Sequence, residues 1–306
     1  MGRKVVALKL SLLSTFIGEV VSSSTPPLEI INPLTFLFLW GFYGSGVLLV
    51  REFWVRWGGN LPSLMLLGVA YGIAEEGLAV KSFFDPNWMD LGKLGEYGRF
   101  AGVNFVWAVW LSIFHAVFSI SIPILLVHIF HPEYRGKPLL SSRALKILFG
   151  LFFVLSAIVF ALLNPYPPPP LQYVLAFLAA VLLINRAKKP ISINSLPGRN
   201  QRNFLYGTFF TLSMFLFFFI VPETPIHPAI PCIAAVYLFV NLFRRFNRTR
   251  NDPEGSYRLI LGLLSPFLLF FDLISELNGN TGMSVVGILT FAVLLHLSKR
   301  LKSSTI

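Results

Sequence analysis

The chain has a single cysteine, Cys232, among 306 residues, and it lies in an apolar run. One thiol cannot build a disulfide framework, so cysteine usage says nothing about the redox compartment. Charge is equally scarce. Asp, Glu, Lys and Arg make up 13% of the residues, about half of the roughly 25% usual in soluble domains. No polar connection is long enough to bury a core of its own, which excludes an appended soluble domain. No internal repeat is evident either, which argues against an inverted-repeat transporter. Acids are the rarer charged class, 14 against 25 Lys and Arg, leaving a net charge of +11.

What is present is hydrophobic: 55% of the residues, with a mean hydropathy of +0.70. Apolar runs of about 17 residues or more, enough to span a bilayer as helix, recur along the whole length. Ten apolar segments fall near 5–24, 34–50, 61–80, 101–130, 144–162, 171–185, 204–221, 229–243, 257–278 and 282–298. This pattern predicts an all-α, polytopic integral membrane bundle of about ten transmembrane helices, one membrane domain over 1–306. If the N-terminus is inside and connections alternate, every Lys and Arg falls on the inner side except Lys81, Lys93 and Arg99. The positive-inside rule then predicts both termini inside. The basic charge is topological, so the expected partner is membrane lipid and not nucleic acid, and the expected location is the cell membrane, multi-pass. Glu19 interrupts the first apolar run and no A-x-A-like site follows it, so a retained span is expected there in preference to a cleaved signal peptide.

The unusual chemistry concentrates in 1–135. Residues 140–306 read as Leu/Phe/Val-rich helices with Pro-rich outside turns at 164–170 and 221–231. Glu75 and Glu76 are adjacent acids inside the otherwise apolar run 61–80. An ionised carboxylate in hydrocarbon costs at least about 2.5 kcal/mol on insertion scales, and such residues are usually functional. Two neighbours also repel, so one keeps its proton or a cation sits beside them. At 100° per residue Gly68, Tyr71, Gly72, Glu75, Ala79 and Ser82 share one face, which aims Glu75 into a close helix–helix contact. The competing expectation is that both acids sit at the helix end and reach water.

On 101–130, Asn104, Ser112, His115 and Ser119 form a polar stripe, and Pro123 predicts a tilt or kink. A neutral imidazole near mid-span needs a partner, and a carboxylate or metal is a natural one. Glu19 on the first run, and Asp272 and Glu276 near 257–278, fall toward the same outer side; helix-end solvation is their plainer explanation. Arg51 and Glu52 lie at the opposite end, where a snorkelling ion pair is expected. His128 and His131 read as interfacial. The outside connection 81–100 carries Phe83, Phe84, Trp88 and Tyr97, which suit the headgroup level. It reads either as an interfacial re-entrant loop or as a lid over a cavity opening outward.

A glutamate pair on one membrane helix followed by a histidine on the next resembles the CPBP family of CAAX-processing and bacteriocin-processing intramembrane proteases. That family's motifs read EExxxR, FxxxH and HxxxN or HxxxD. Glu75, Glu76 and His115 match the first two; Val80 stands at the arginine position with Lys81 one later, and Leu111 stands at the phenylalanine position. The third motif has no counterpart, since Ser119, Pro132, Arg135, Pro231 and Arg300 stand four after the five histidines. The resemblance implies an intramembrane peptidase in which Glu75 activates water and Glu76 and His115 support it.

Carboxylates with imidazole also form a ligand set for a divalent metal such as Zn²⁺, with Glu76 and His115 as ligands. The leading expectation is an intramembrane metal-dependent hydrolase centred on Glu75, Glu76 and His115 and acting on a peptide or small molecule. Its rivals are a cation- or proton-coupled transporter using Glu19, Glu75, Glu76, Asp272 and Glu276, and a non-catalytic membrane scaffold.

Overall fold

A computed structural model describes residues 2–194 and 202–303; Arg199, assigned to the inner side above, lies outside them. The described residues form ten long helical stretches, one on each apolar segment. They are α1 (3–20), α2 (Pro33–Arg56), α3 (61–79), α4 (Phe105–Phe130), α5 (Ser142–Leu163), α6 (Pro170–Ala187), α7 (Asn203–Glu223), α8 (Ala229–Thr249), α9 (Pro253–Leu277) and α10 (Met283–Ser303). Eight are long and apolar enough to cross a membrane. The exceptions are α1 and α3, the two that carry Glu19 and the Glu75–Glu76 pair.

Burial sorts the helices into centre and perimeter. The apolar window of α4 is 94% buried, whereas those of α5, α6 and α10 are 6%, 11% and 11% buried. Hydrophobic side chains left open on the perimeter are what a helix facing lipid requires. α3 runs antiparallel along α4, and glycine makes the approach possible. A Cβ at Gly68 would stand 2.6 Å from the Ala116 Cα, and one at Gly72 3.0 Å from the Ser112 Cα.

The start of α4 departs from the expectation. Arg99–Phe100 and Val103–Asn104 form a two-residue antiparallel hairpin. Its turn, Ala101 and Gly102, has φ of 48° and 79°, the positive-φ pair that a type I′ turn demands. Helix therefore begins at Phe105, with the Asn104 side chain accepting from the Trp107 N–H at 2.9 Å. Pro123 introduces no separate break: the helix passes through a π segment, His115–Ser121, and returns to α at Ile122.

Three other expectations are corrected. Phe83 and Phe84 are buried, not at a headgroup surface, because Asn104 N donates to Phe83 O at 2.8 Å and Arg99 to Phe84 O at 2.9 Å. Arg51 and Glu52 do not snorkel: both are fully buried and paired at 2.8 Å. Arg51 also donates to the carbonyls of Tyr134 and Lys137, while Glu52 accepts from Leu139 N, so the pair clamps the 134–139 turn. His128 is buried and stacked on Trp54 with ring centroids 5.5 Å apart. The Trp54 face covers the imidazole ring, while His128 Nε2 is buried without a hydrogen-bond partner.

Candidate functional site

Three helices bring their acids and imidazole together, and each changes pitch to do so. α1 becomes π-helical at Phe16–Val20 around Glu19, α3 at Ile73–Ala79 around Glu75 and Glu76, and α4 at His115–Ser121. A π turn takes i→i+5 hydrogen bonds and so turns less per residue than an α turn; such segments favour functional sites. The effect on α3 is direct. Two consecutive glutamates, which an α-helix splays by about 100°, both address one ring.

His115 lies between them. Glu75 Oε2 is 3.2 Å from Nδ1, and Glu76 Oε1 is 3.4 Å from Nε2. Ser119, one turn along α4, is 3.0 Å from Nδ1. Glu75 and His115 are each 2% exposed, whereas the Glu76 side chain is 15% exposed. Glu76 is anchored, since its Oε2 accepts from the Ser82 hydroxyl at 2.6 Å, which in turn accepts from the Trp107 indole N–H at 3.1 Å. Glu75 is held less firmly: its Oε2 lies 3.2 Å from His115 Nδ1 with the Tyr71 hydroxyl close by, but neither contact has good hydrogen-bonding geometry. Glu19 is held by Thr25 at 2.5 Å. Gly18 makes room, since a Cβ there would stand 2.7 Å from the Tyr43 ring and 3.1 Å from the Ser119 hydroxyl.

These groups form the floor of a cavity of about 750 Å³. Every one of the six π segments in the described residues lines it. Beside Glu19, the glutamate pair and His115, these give Val159 and Leu163 from α5, Phe219 from α7, and Phe267 and Phe271 from α9. The rim consists of turns at one end of the bundle, 22–25, 88–90 and 278–280. Loop 81–100 thus contributes Trp88, Met89 and Asp90 to the mouth. Asp90, exposed at the mouth, accepts from the Trp88 indole N–H at 3.1 Å. His115 is ten residues into α4 from Phe105, roughly 15 Å at 1.5 Å per residue. The acids therefore do not simply reach water at a helix end; after α3 the chain folds back along the start of α4.

The remaining residues singled out in the sequence lie elsewhere. Asn104 caps α4 and donates to Leu94 O. Asp272 is fully buried and accepts from the Ser23 hydroxyl at 3.1 Å, which ties the rim turn to α9. Glu276 accepts from Ser284 N and Oγ at 3.0 and 3.2 Å and closes the α9–α10 turn. Lys81, one position past the motif's arginine, donates to the carbonyls of Phe160 and Asn164, joining the end of α3 to that of α5. Tyr43 and Thr25 escaped the sequence reading, which placed Tyr71 and Ser82 on the face of Glu75 but gave them no role. A tyrosine hydroxyl inside an apolar helix needs a partner, and that was the available signal for Tyr43 and Tyr71.

The donor set for a metal is incomplete. Glu76 Oε1 and His115 Nε2, 3.4 Å apart, have the spacing of two ligands about 2 Å from one ion. Glu75, however, faces the other ring nitrogen, which points away from that position. Among the described residues no group of three or more His, Cys, Asp or Glu is arranged to hold a metal.

No curated protein and no solved structure matches the chain. A family model described as "Uncharacterized membrane protein family" matches residues 8–251, a stretch that contains Glu19, Glu75, Glu76 and His115, and the chain belongs to that family.

Proposed function

We propose that this membrane protein is an intramembrane hydrolase, most simply a peptidase, in which Glu75 activates water. The observation that carries the reading is His115 held between two glutamates, at 3.2 and 3.4 Å, on the floor of a cavity inside the bundle. Roles divide by hydrogen bonding. Glu76 is committed to Ser82 and faces His115, so it orients the ring. Glu75 keeps an oxygen with no well-formed hydrogen bond and is the base. Water gives its proton to Glu75 and its oxygen bonds the substrate carbonyl carbon. Collapse then breaks the bond to the leaving group, which takes that proton. No step passes through a metal, since the protein ligands for one are incomplete.

Purified protein in bilayers, offered membrane-inserted peptides, tests this. Glu75→Gln is expected to lower turnover by about 10²–10⁴-fold with an unchanged melting temperature; full turnover in that variant overturns the reading. A cation or proton translocator is the second reading, favoured by Glu19 joining the site from a third helix. Proteoliposome flux that vanishes in Glu75→Gln, with no hydrolysis, would establish it instead.

A further inference from the structure

The charge around the cavity is lopsided in a way the rest of the molecule is not. The chain has 25 Lys and Arg and 14 Asp and Glu. Five of those acids, Glu19, Glu29, Glu75, Glu76 and Asp90, line the cavity, and among the described residues no Lys or Arg does. A basic protein has thus lined this cavity with more than a third of its acids, three of them (Glu19, Glu75 and Glu76) deep in the bundle and two (Glu29 and Asp90) exposed at its mouth. Such a surface repels phosphates, carboxylates and sulfates and draws cations.

The walls state what kind of cation. Phe38, Phe42, Trp110, Phe215, Phe219 and Phe271 are among the aromatic rings facing the space. Aromatic faces attract ammonium groups electrostatically, and the attraction grows when water is excluded. A volume of about 750 Å³ is far larger than a hydrated metal ion needs and falls in the range of organic-ligand pockets. At the floor, Glu75 is 2% exposed and its Oε2 lacks a well-formed hydrogen bond. A single imidazole stands among three carboxylates, so the floor is short of positive charge.

We propose that the cavity binds an organic cation with an apolar body, an amine or quaternary ammonium, whose charge is held by Glu75, Glu76 and Glu19 and whose body packs on the aromatic walls. This rests on taking the cavity as the substrate site and names the substrate's class. For a peptidase it means a substrate presenting a free amino or other cationic group to the floor.

Tetraphenylphosphonium and tetraphenylborate share shape and apolar surface and differ in the sign of charge, so they isolate the electrostatic part. Binding to the detergent-solubilised full chain is read by quenching of tryptophan fluorescence, since Trp88, Trp107 and Trp110 line the space. Tetraphenylphosphonium is expected to bind saturably and to raise the melting temperature, tetraphenylborate to do neither. Glu75→Gln combined with Glu76→Gln should weaken the cation about tenfold or more, and Phe219→Ala, on the half-open wall, by a smaller factor. Equal binding of the two ions, or undiminished binding in the double variant, overturns the proposal. If the double variant does not fold, the comparison of the two ions on the unmodified chain still decides. Neither ion has a hydrolysable bond. Cation binding without peptide hydrolysis therefore refutes the hydrolase alone, and hydrolysis without cation preference refutes only the ligand class.

Discussion

At the scale of single residues, the site depends on how each polar atom is occupied. Glu76 is oriented through Ser82, and Ser82 through Trp107. Ser82→Ala removes the short hydrogen bond to the carboxylate, a charge-assisted contact worth roughly 1.5–3 kcal/mol. We expect turnover to fall while the apolar walls, and hence the affinity for an uncharged aromatic probe, stay the same; a kcat and KM comparison checks the split. Gly68 shows the same dependence in packing. A Cβ there would stand 2.6 Å from a backbone atom of α4, which cannot move aside as a side-chain tip can. Gly68→Val should destabilise the protein by about 1–3 kcal/mol or more, read as a lowered melting temperature together with lost activity. An unchanged melting temperature would mean that α3 and α4 are less tightly packed than this contact requires.

Helices acquire their function through changes of pitch. The α-to-π transitions on α1, α3 and α4 turn Glu19, Glu75, Glu76 and His115 toward one point, and those on α5, α7 and α9 supply aliphatic and aromatic wall. The helix ends have their own devices. α3 stops where Lys81 takes φ of 65°, a conformation costly for a side chain bearing a Cβ and held here by two carbonyls of the α5 end. At the far end of α2, Arg51 and Glu52 are buried as a pair and clamp the 134–139 turn. Arg51→Met leaves Glu52 buried and short of its closest cation, which costs about 3–5 kcal/mol. Combining it with Glu52→Leu should recover part of that loss. A double-mutant cycle on thermal unfolding measures the coupling, and additive effects would show that the two side chains act independently.

For the whole molecule, asymmetry of charge does two separate jobs. Lys and Arg in alternate connections predict the orientation of the chain, and the acids lining the cavity are proposed to select what enters. The orientation is testable in membranes. With Cys232→Ser as background, Asn87→Cys in the loop over the cavity should react with a membrane-impermeant maleimide added outside. Lys137→Cys, in the turn held by Arg51, should react only after permeabilisation. The opposite labelling would invert the molecule and make the cavity open inward.

Class, the placement of helices and the suspicion attached to Glu75, Glu76 and His115 follow from the sequence alone, because hydropathy and the cost of a charge in hydrocarbon are properties of composition along a line. The glycine spacing of α3 likewise announced a close helix contact, and the structure shows that the partner is α4. Tertiary structure decided the rest. Glu19 joined the centre while Asp272 and Glu276 were spent on turns, although all three read alike in one dimension. Arg51, Glu52 and His128 proved to be buried: the ion pair and neighbouring backbone take the place of water for the first two, and Trp54 covers the ring of the third. That one imidazole meets two consecutive glutamates goes with local π pitch, and the aromatic walls draw on α2, α4, α7 and α9, helices distant in sequence. Such features arise from the relative placement of elements, which periodicity along a single chain does not encode.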